Sequence, residues 1–372
     1  MVTDRAHLAF TLALHRAAAP DSNRDACWSP YSVAGALGLV AAGARGVTRD
    51  ELAGLLLGDK AGDLNGLGRL LGEAAELEAP GAGAEQPVLA VANTLWADDS
   101  IDIRDSFVAE LSRWLPGSVR SAPFRVAPDK ARELINTDVA ETTRNLIPEL
   151  VPAGAIGVDT VAALVNALYL KCAWRNRFAE DATVPRAFHT PSGRVEVPTM
   201  ELTETVGYGR TAGWQVVELV ATGGVRAVIL LPDGDLAEAE SRLDADTLAA
   251  LLGAPRPTWI RLRLPRVNVA SQTELTAALN RLGVRTMFGN HADLRGISPD
   301  PLAVQAVLHE SVLKLDEQGL EGAAATAVTL RVLGMMSGEP VPVDVDRPFL
   351  LLVRHGATSI GYFLARVVTP SA

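Results

Sequence analysis

The chain has 372 residues, a formal net charge of −10, 48% hydrophobic residues and 21% charged residues. That composition suits a soluble globular chain with a large core, and its acidic balance argues against a nucleic-acid partner, because phosphate binding needs a basic face. No apolar run reaches roughly eighteen residues, so no membrane-spanning helix is expected; two cysteines, Cys27 and Cys172, cannot build a disulfide framework and read as buried free thiols.

The first segment, MVTDRAHLAFTLALHRAAAP, carries an acid near its start and charge within its apolar part. It reads as an amphipathic helix rather than a signal peptide, which places the protein in the cytoplasm, or outside the cell if a leader was removed or a non-standard route is used. Cys27-Trp28-Ser29-Pro30-Tyr31-Ser32 leads into a small-residue helix from Val33 to Ala42, with Ser29 or Ser32 available as its cap. A helix with loose flanks is expected over Gly58 to Gly83, a buried strand over Val88 to Trp96, and helices over Phe107 to Leu115 and Pro128 to Leu146. Val161 to Trp174 is too apolar for an exposed strand and is placed at the centre of a sheet, where Asn166 must find partners or cost about 1–3 kcal/mol.

Short strands follow over Val195 to Met200, Trp214 to Val220, Val225 to Leu231 and Leu262 to Val269. Ser271-Gln272-Thr273-Glu274 has the form of a helix cap before LTAALNRLG. Ala306 to Leu315, Phe349 to Arg354 and Ser359 to Val367 complete the expected strands.

The stretch from Asp316 to Val332 reads differently. At a period of two, Leu320, Gly322, Ala324, Thr326, Val328, Leu330 and Val332 form an uncharged set, while the alternate set holds Glu321 and Arg331. This is a half-buried strand pattern, yet it opens on Gly319 and Gly322 and runs into GMMSGEPVP, which is loop chemistry. A permanent helix and a permanent strand are its two plain readings. A third is a segment that moves from one environment to the other.

Catalytic motifs are absent from the sequence. There is no G-x-S-x-G, no G-x-x-x-x-G-K-[ST], and His309-Glu310 lacks the second histidine of a zinc motif. The six histidines show no ligand spacing, so neither an enzyme nor a metal, nucleotide or lipid cofactor is expected.

Three runs carry a family resemblance. E-x-G-x-E-x-A-A-A-T from Glu317 resembles the hinge of the serpins, protease inhibitors that trap their target by inserting a cleaved loop into a sheet. Phe288 to Ile297 (FGNHADLRGI) and Asp346-Arg347-Pro348-Phe349 resemble two further serpin runs, and SPYS with Asn93 and the helix around Asn136 extends the similarity over nearly the whole chain. The resemblance, to prokaryotic inhibitory serpins, implies an α+β fold. A large central mixed β-sheet, two smaller sheets, surrounding helices and an exposed reactive-centre loop of about 317–343 would form one domain over 1–372.

The resemblance also assigns residues. The bait bond follows the seventeenth residue counted from Glu317, which is Leu333, so the bond is Leu333-Gly334, with Arg331, Met335 and Met336 as rivals. Glu317, Gly319, Leu320, Gly322, Ala324, Thr326 and Val328 form the inserting hinge. Ser29, Ser32, Asn166 and His309 form a shutter beneath the sheet, and Trp174, Arg266 and Glu317 a breach at its top, with an ion pair between Arg266 and Glu317. The implied partner is a chymotrypsin-like or elastase-like serine protease met by a monomer, without nucleic acid or membrane. The alternative is a non-inhibitory serpin with a binding, carrier or chaperone-like role.

Overall fold

The chain begins with helix α1 (Val2–Ala18), strand β1 (Ala26–Trp28) and helix α2 (Pro30–Gly43). In this computed structural model, residues 2–59, 62–81, 85–111, 117–320 and 338–370 are described. Ser29 caps α2 by accepting from the Ser32 N–H at 3.1 Å, and Pro30 sits in the first turn, where its missing N–H is not needed. Next come α3 (Gly46–Leu57), α4 (Leu64–Ala75), β2 (Val88–Asp98), α5 (Asp105–Leu111), β3 (Ser118–Ala122), α6 (Pro128–Thr142) and β4 (Ala162–Ala173). Among the described residues of Gly58 to Gly83 the expected helix is α4, and α5 reaches Leu111, beyond which 112–116 are not described. Helix α6 stops short of Leu146 because Arg144 and Asn145 turn into the left-handed region, at φ 52° and 61°.

Strands dominate the rest: β5 (Val184–Thr190), β6 (Gly193–Thr211), β7 (Trp214–Val220) and β8 (Val225–Pro232) precede α7 (Leu236–Arg242) and α8 (Ala245–Gly253). Then come β9 (Arg256–Pro265), β10 (Val267–Glu274), α9 (Thr276–Arg281), β11 (Ala306–Leu315), β12 (Gly319–Leu320), β13 (Val341–Asp344), β14 (Phe349–His355) and β15 (Gly361–Val367). Val195 to Met200 proves to be part of the 19-residue β6. Two expectations are corrected. The single strand over Leu262 to Val269 is two, broken at Arg266, whose N–H donates to Pro198 O at 3.0 Å as the chain passes from one sheet to another. Ser271 to Thr273 are strand, not cap; the Glu274 carboxylate instead accepts from the Thr276 N–H at 2.9 Å.

The central mixed sheet has the order β10-β11-β12-β4-β2-β3. The other nine strands form two smaller sheets joined through β6, which pairs with β7 over Gly207–Thr211 and with β9 over Thr199–Tyr208. Alternation sorts β4 into two faces. Leu164, Leu168 and Leu170 join the large core that contains α2, and Ala163, Val165 and Ala167 join a second core with Ala131, Ile135 and Val139 of α6.

One buried polar network ties α1, β1, α7 and β15. The Trp28 indole N–H donates to His15 Nδ1 at 3.1 Å, so the imidazole proton lies on Nε2, which faces Glu240 Oε1 at 3.0 Å. Arg366 meets the same carboxylate through Nε at 2.7 Å and also donates to the carbonyls of Asp21 and Ala19. Burial pushes the Glu240 carboxyl up, but the bonds from Arg366 and His15 outweigh it and hold it down at about 2. Glu240→Gln leaves the buried guanidinium without its counter-charge, and we expect a loss of about 3 kcal/mol or more, read as a lower urea midpoint. An unchanged midpoint would show that the network is not a structural tie.

Candidate functional site

The site is a parting in the central sheet. β4 and β11 pair in parallel from Ala163/Ala306 to Ala167/Glu310, and beyond that no ladder joins them among the described residues. Among the described residues the strands come together again through β12, where Leu320 lies opposite Leu315 on one side and Cys172 on the other, and Gly319 opposite Ala173. Between foot and mouth, Leu168–Lys171 face Ser311–Lys314 without a described strand between them.

At the foot, a polar cluster lies in an otherwise apolar interior. Asn166 Oδ1 meets His309 Nδ1, and Asn166 Nδ2 donates to Ser32 Oγ at 2.6 Å and also to Asn93 Oδ1. His309 Nε2 accepts from the Ser29 N–H at 3.1 Å and from Ser311 Oγ at 2.8 Å, which leaves the ring proton on Nδ1, donating to Asn166. Burial drives the His309 pKa down to about 3, so the ring is neutral. The structure thus gathers Ser29, Ser32, Asn166 and His309 in one place. Sequence reasoning missed Ser311, although it lies two residues from His309 and so on the same face.

At the mouth, Glu317 is 3% exposed and is gripped by Arg266, with Nε at 2.9 and 3.1 Å from the two carboxylate oxygens and Nη2 at 2.8 Å. Thr183 Oγ donates to the same carboxylate at 2.5 Å. Burial pushes this carboxyl up, yet the bonds from Arg266 and Thr183 win and hold it below the usual range. The Trp174 indole donates to Asp316 O at 2.8 Å, and its backbone N–H donates to Gln318 O at 2.9 Å. Trp174, Arg266 and Glu317 therefore meet, with Thr183 a partner that no local signal marked.

The Asp316 side chain accepts from the N–H groups of Gln318 and Gly319 at 2.8 and 3.1 Å, bending the chain so that β12 enters the sheet. Glycine is required there by space: a Cβ on Gly319 would lie 2.0 Å from Cys172 O and 2.9 Å from Ala173 Cα. Leu320 is 1% exposed, so its bulk is already seated in the core. Gly322, Ala324, Thr326, Val328, Arg331, Leu333, Gly334, Met335 and Met336 lie outside the described residues. Beside the foot, on the α6 face, the Glu310 side chain has a buried oxygen without a partner among the described residues, and burial raises its pKa to about 7. Its strand neighbours on that face are Ala167 on β4 and Gln272 on β10.

Residues 5–370 match the family model described as Serpin (serine protease inhibitor). The chain is 31% identical to Serpin-Z2A of Oryza sativa, covering 98% of this chain and 96% of that one. It is 32% identical to the leukocyte elastase inhibitor of Bos taurus, with 92% of each covered. The crystal structure of Serpin48, a highly specific serpin of the insect Tenebrio molitor, is similar at a TM-score of 0.86 and 25% identity, covering 99% of this chain and 98% of that one.

Gly319→Ala should expel the Gly319–Leu320 root, seen as faster amide exchange in β12 and the facing end of β4; unchanged protection would contradict the steric reading. Glu310 carries a folded-state pKa raised above its unfolded value, so its contribution is fully present below about pH 4.5 and is lost as pH rises through about 7. The thermal midpoint of Glu310→Gln should gain on the natural protein between about pH 5 and about pH 8, and a constant difference would remove Glu310 as the cause.

Proposed function

The chain belongs to the serpin family, and on that premise we propose that it is a monomeric suicide inhibitor of a chymotrypsin-like serine protease. Its bait bond is Leu333-Gly334, in a reactive-centre loop of about 317–343 within one domain of 1–372. The protease attacks this bond and becomes joined to the inhibitor as an acyl-enzyme through its own serine; leucine suits an S1 slot built for a large apolar side chain. Cleavage frees the loop to enter the parted sheet as a new strand.

The observation that carries this reading is the register of β12. Antiparallel pairing sets Leu320 opposite Leu315 and Cys172. Continued one residue at a time, it would set Ala324 between Ser311 and Leu168, and Thr326 between His309 and Asn166. Val328 would then lie between Val307 and Leu164. These are core-facing positions of both strands, and the residues that reach them are the uncharged set of the sequence. The charged set would lie on the α6 face, with Glu321 between Lys314 and Lys171.

From Leu320 to Val332 the strand has thirteen residues, of which Leu320 is already seated. Roughly a dozen ladder bonds at ~0.5–1.5 kcal/mol net each amount to about 10 kcal/mol before side-chain burial. At ~3.3 Å per residue, full insertion carries the bound protease about 40 Å. The loop-out state is therefore held by a kinetic barrier rather than by equilibrium stability.

Incubation with chymotrypsin, trypsin and elastase, followed by mass spectrometry of the released C-terminal fragment, should give a fragment starting at Gly334 and a complex that survives boiling in SDS. Clean cleavage without such a complex would favour a non-inhibitory binding or carrier role. Ala324→Glu puts a charge into the core-facing set, at several kcal/mol of desolvation, and should turn the inhibitor into a substrate.

A further inference from the structure

The last rung of the β4–β11 ladder is Glu310 opposite Ala167, at the point where the parting begins. On its other side Glu310 lies opposite Gln272 of β10, whose amide is committed elsewhere, donating to Leu150 O at 2.7 Å and to Glu149 O at 3.3 Å. Asn136 of α6 holds the same segment, accepting from the Leu150 and Val151 N–H groups at 3.1 and 2.8 Å and donating to Val151 O at 3.0 Å. Leu150 and Val151 pack with Ala167 and Val165 in the core on this face. The segment is thus tied to β10 and to α6 across the foot, and none of these bonds goes to Glu310. One oxygen of its carboxyl group stays buried with no partner among the described residues.

The charges around it are committed or distant. On α6, Arg132 meets Glu149 at 2.9 Å and Asp138 meets Arg120 at 2.6 Å. On β4, Lys171 meets Glu85 at 2.7 Å, and Arg144, just after α6, lies over the Tyr169 ring at 5.5 Å. On β10, Glu274 accepts from the Thr276 N–H at 2.9 Å. Lys314 is exposed, four residues and so ~13 Å along β11 towards the mouth, and His309 is neutral on the opposite face. Burial therefore acts on Glu310 unopposed and raises its pKa to about 7.

We propose that Glu310 is the positioning residue of the foot, whose carboxylate, left without a partner while the ladder is closed, drives β4 and β11 apart to admit an incoming strand. The inference rests on the inhibitory reading and adds to it the control of where the sheet opens. With the Glu310/Ala167 rung closed, a carboxylate there forgoes its hydration, while a neutral carboxyl group forgoes much less. Opening the rung admits water, and the hydrated group returns to its ordinary value of 4.5. The open foot therefore binds fewer protons than the closed one between about pH 4.5 and about pH 7, and opening gains steadily across that window. Above it both forms are ionised and the gain is constant. The next rung is His309 opposite Asn166, so the loosened end of the ladder adjoins the neutral polar cluster.

Amide exchange in the natural protein, corrected for the intrinsic effect of pH, tests the opening directly. Exchange over Val165–Ala167 and Leu308–Glu310 should rise about 10-fold or more from pH 5 to pH 7 and level off above about pH 8. Glu310→Gln should flatten this profile, and Glu310→Asp, which keeps a carboxyl group, should retain it. At each pH the foot should exchange at least about 10-fold faster than β7 and β8, since equal rates would mean global unfolding and would overturn a local role. With chymotrypsin, the ratio of SDS-stable complex to cleaved inhibitor should rise about 3-fold or more from pH 6 to pH 8 in the natural protein relative to Glu310→Gln, a comparison that cancels the enzyme's own pH dependence. An unchanged relative ratio overturns the role in strand entry. If no covalent complex forms at any pH, the inhibitory reading fails by itself, and the exchange profile still decides whether Glu310 opens the foot. A profile common to the natural protein and Glu310→Gln overturns it.

Discussion

Everything distinctive in this molecule depends on two neighbouring strands that pair at one end and part at the other. β4 and β11 share a parallel ladder only as far as Ala167 and Glu310, and β12 wedges them apart at Leu315 and Cys172. Backbone groups at a sheet's centre normally find partners on both sides, since an unpaired buried donor or acceptor costs about as much as a lost hydrogen bond. Among the described residues, the facing edges of β4 and β11 beyond Ala167 and Glu310 thus lack the ladder partners that a sheet centre normally supplies. The surrounding side chains decide whether those partners come from closure of the two strands or from arrival of a third.

The two ends of the parting are held by different chemistry. At the foot the contacts are neutral: amide, hydroxyl and an imidazole kept uncharged by burial. Neutral hydrogen bonds can be exchanged for others of similar strength at small net cost, about 1 kcal/mol each, which is what the proposed insertion would require of this place. At the mouth the contact is a charge-assisted grip on Glu317, reinforced by Thr183 and by the turn at Asp316. Arg266 can reach it because the chain breaks there between β9 and β10. The grip fixes the Gly319–Leu320 root at the mouth of the parting. By contrast, the Glu240–Arg366–His15 network has no strand to release and serves only to tie helices to the sheets.

Much of this was legible in the sequence, for physical reasons that differ from element to element. β7 and β11 could be placed to the residue because alternation and flanking turns agree there. Of the residues that alternation sorted, Leu320 is described and is buried as the core-facing set requires, while Glu321, Ala324 and Thr326 lie outside the described residues. The split at Arg266 was hidden because its neighbours Leu264 and Val267 are both apolar, so hydropathy runs on through a change of sheet. Ser271 to Glu274 look like a cap since the residues that favour caps also suit an exposed edge strand, and only tertiary pairing with β11 decides between them. Asn166 and His309 came together through family resemblance, whereas Thr183 carried no signal, its role set by a partner far along the chain.

The charges along the lips show why the parting does not simply zip shut. Extending the parallel ladder beyond Ala167 and Glu310 would set Leu168 against Ser311, Leu170 against Leu313 and Lys171 against Lys314. Like charges directly opposite one another in a sheet are destabilising, and these are two of only four lysines in the chain. Lys171 is partly answered by Glu85 at 2.7 Å, while Lys314 is exposed. The alternative is a third strand in the β12 register, whose first charged residue, Glu321, would fall between both lysines. Closure thus juxtaposes two positive charges, and insertion would place a negative one between them. The same pair of residues opposes closure and would favour the proposed insertion. An arginine-rich chain keeps lysine here, where a compact point charge needs no planar partner and can accept a carboxylate arriving from either side.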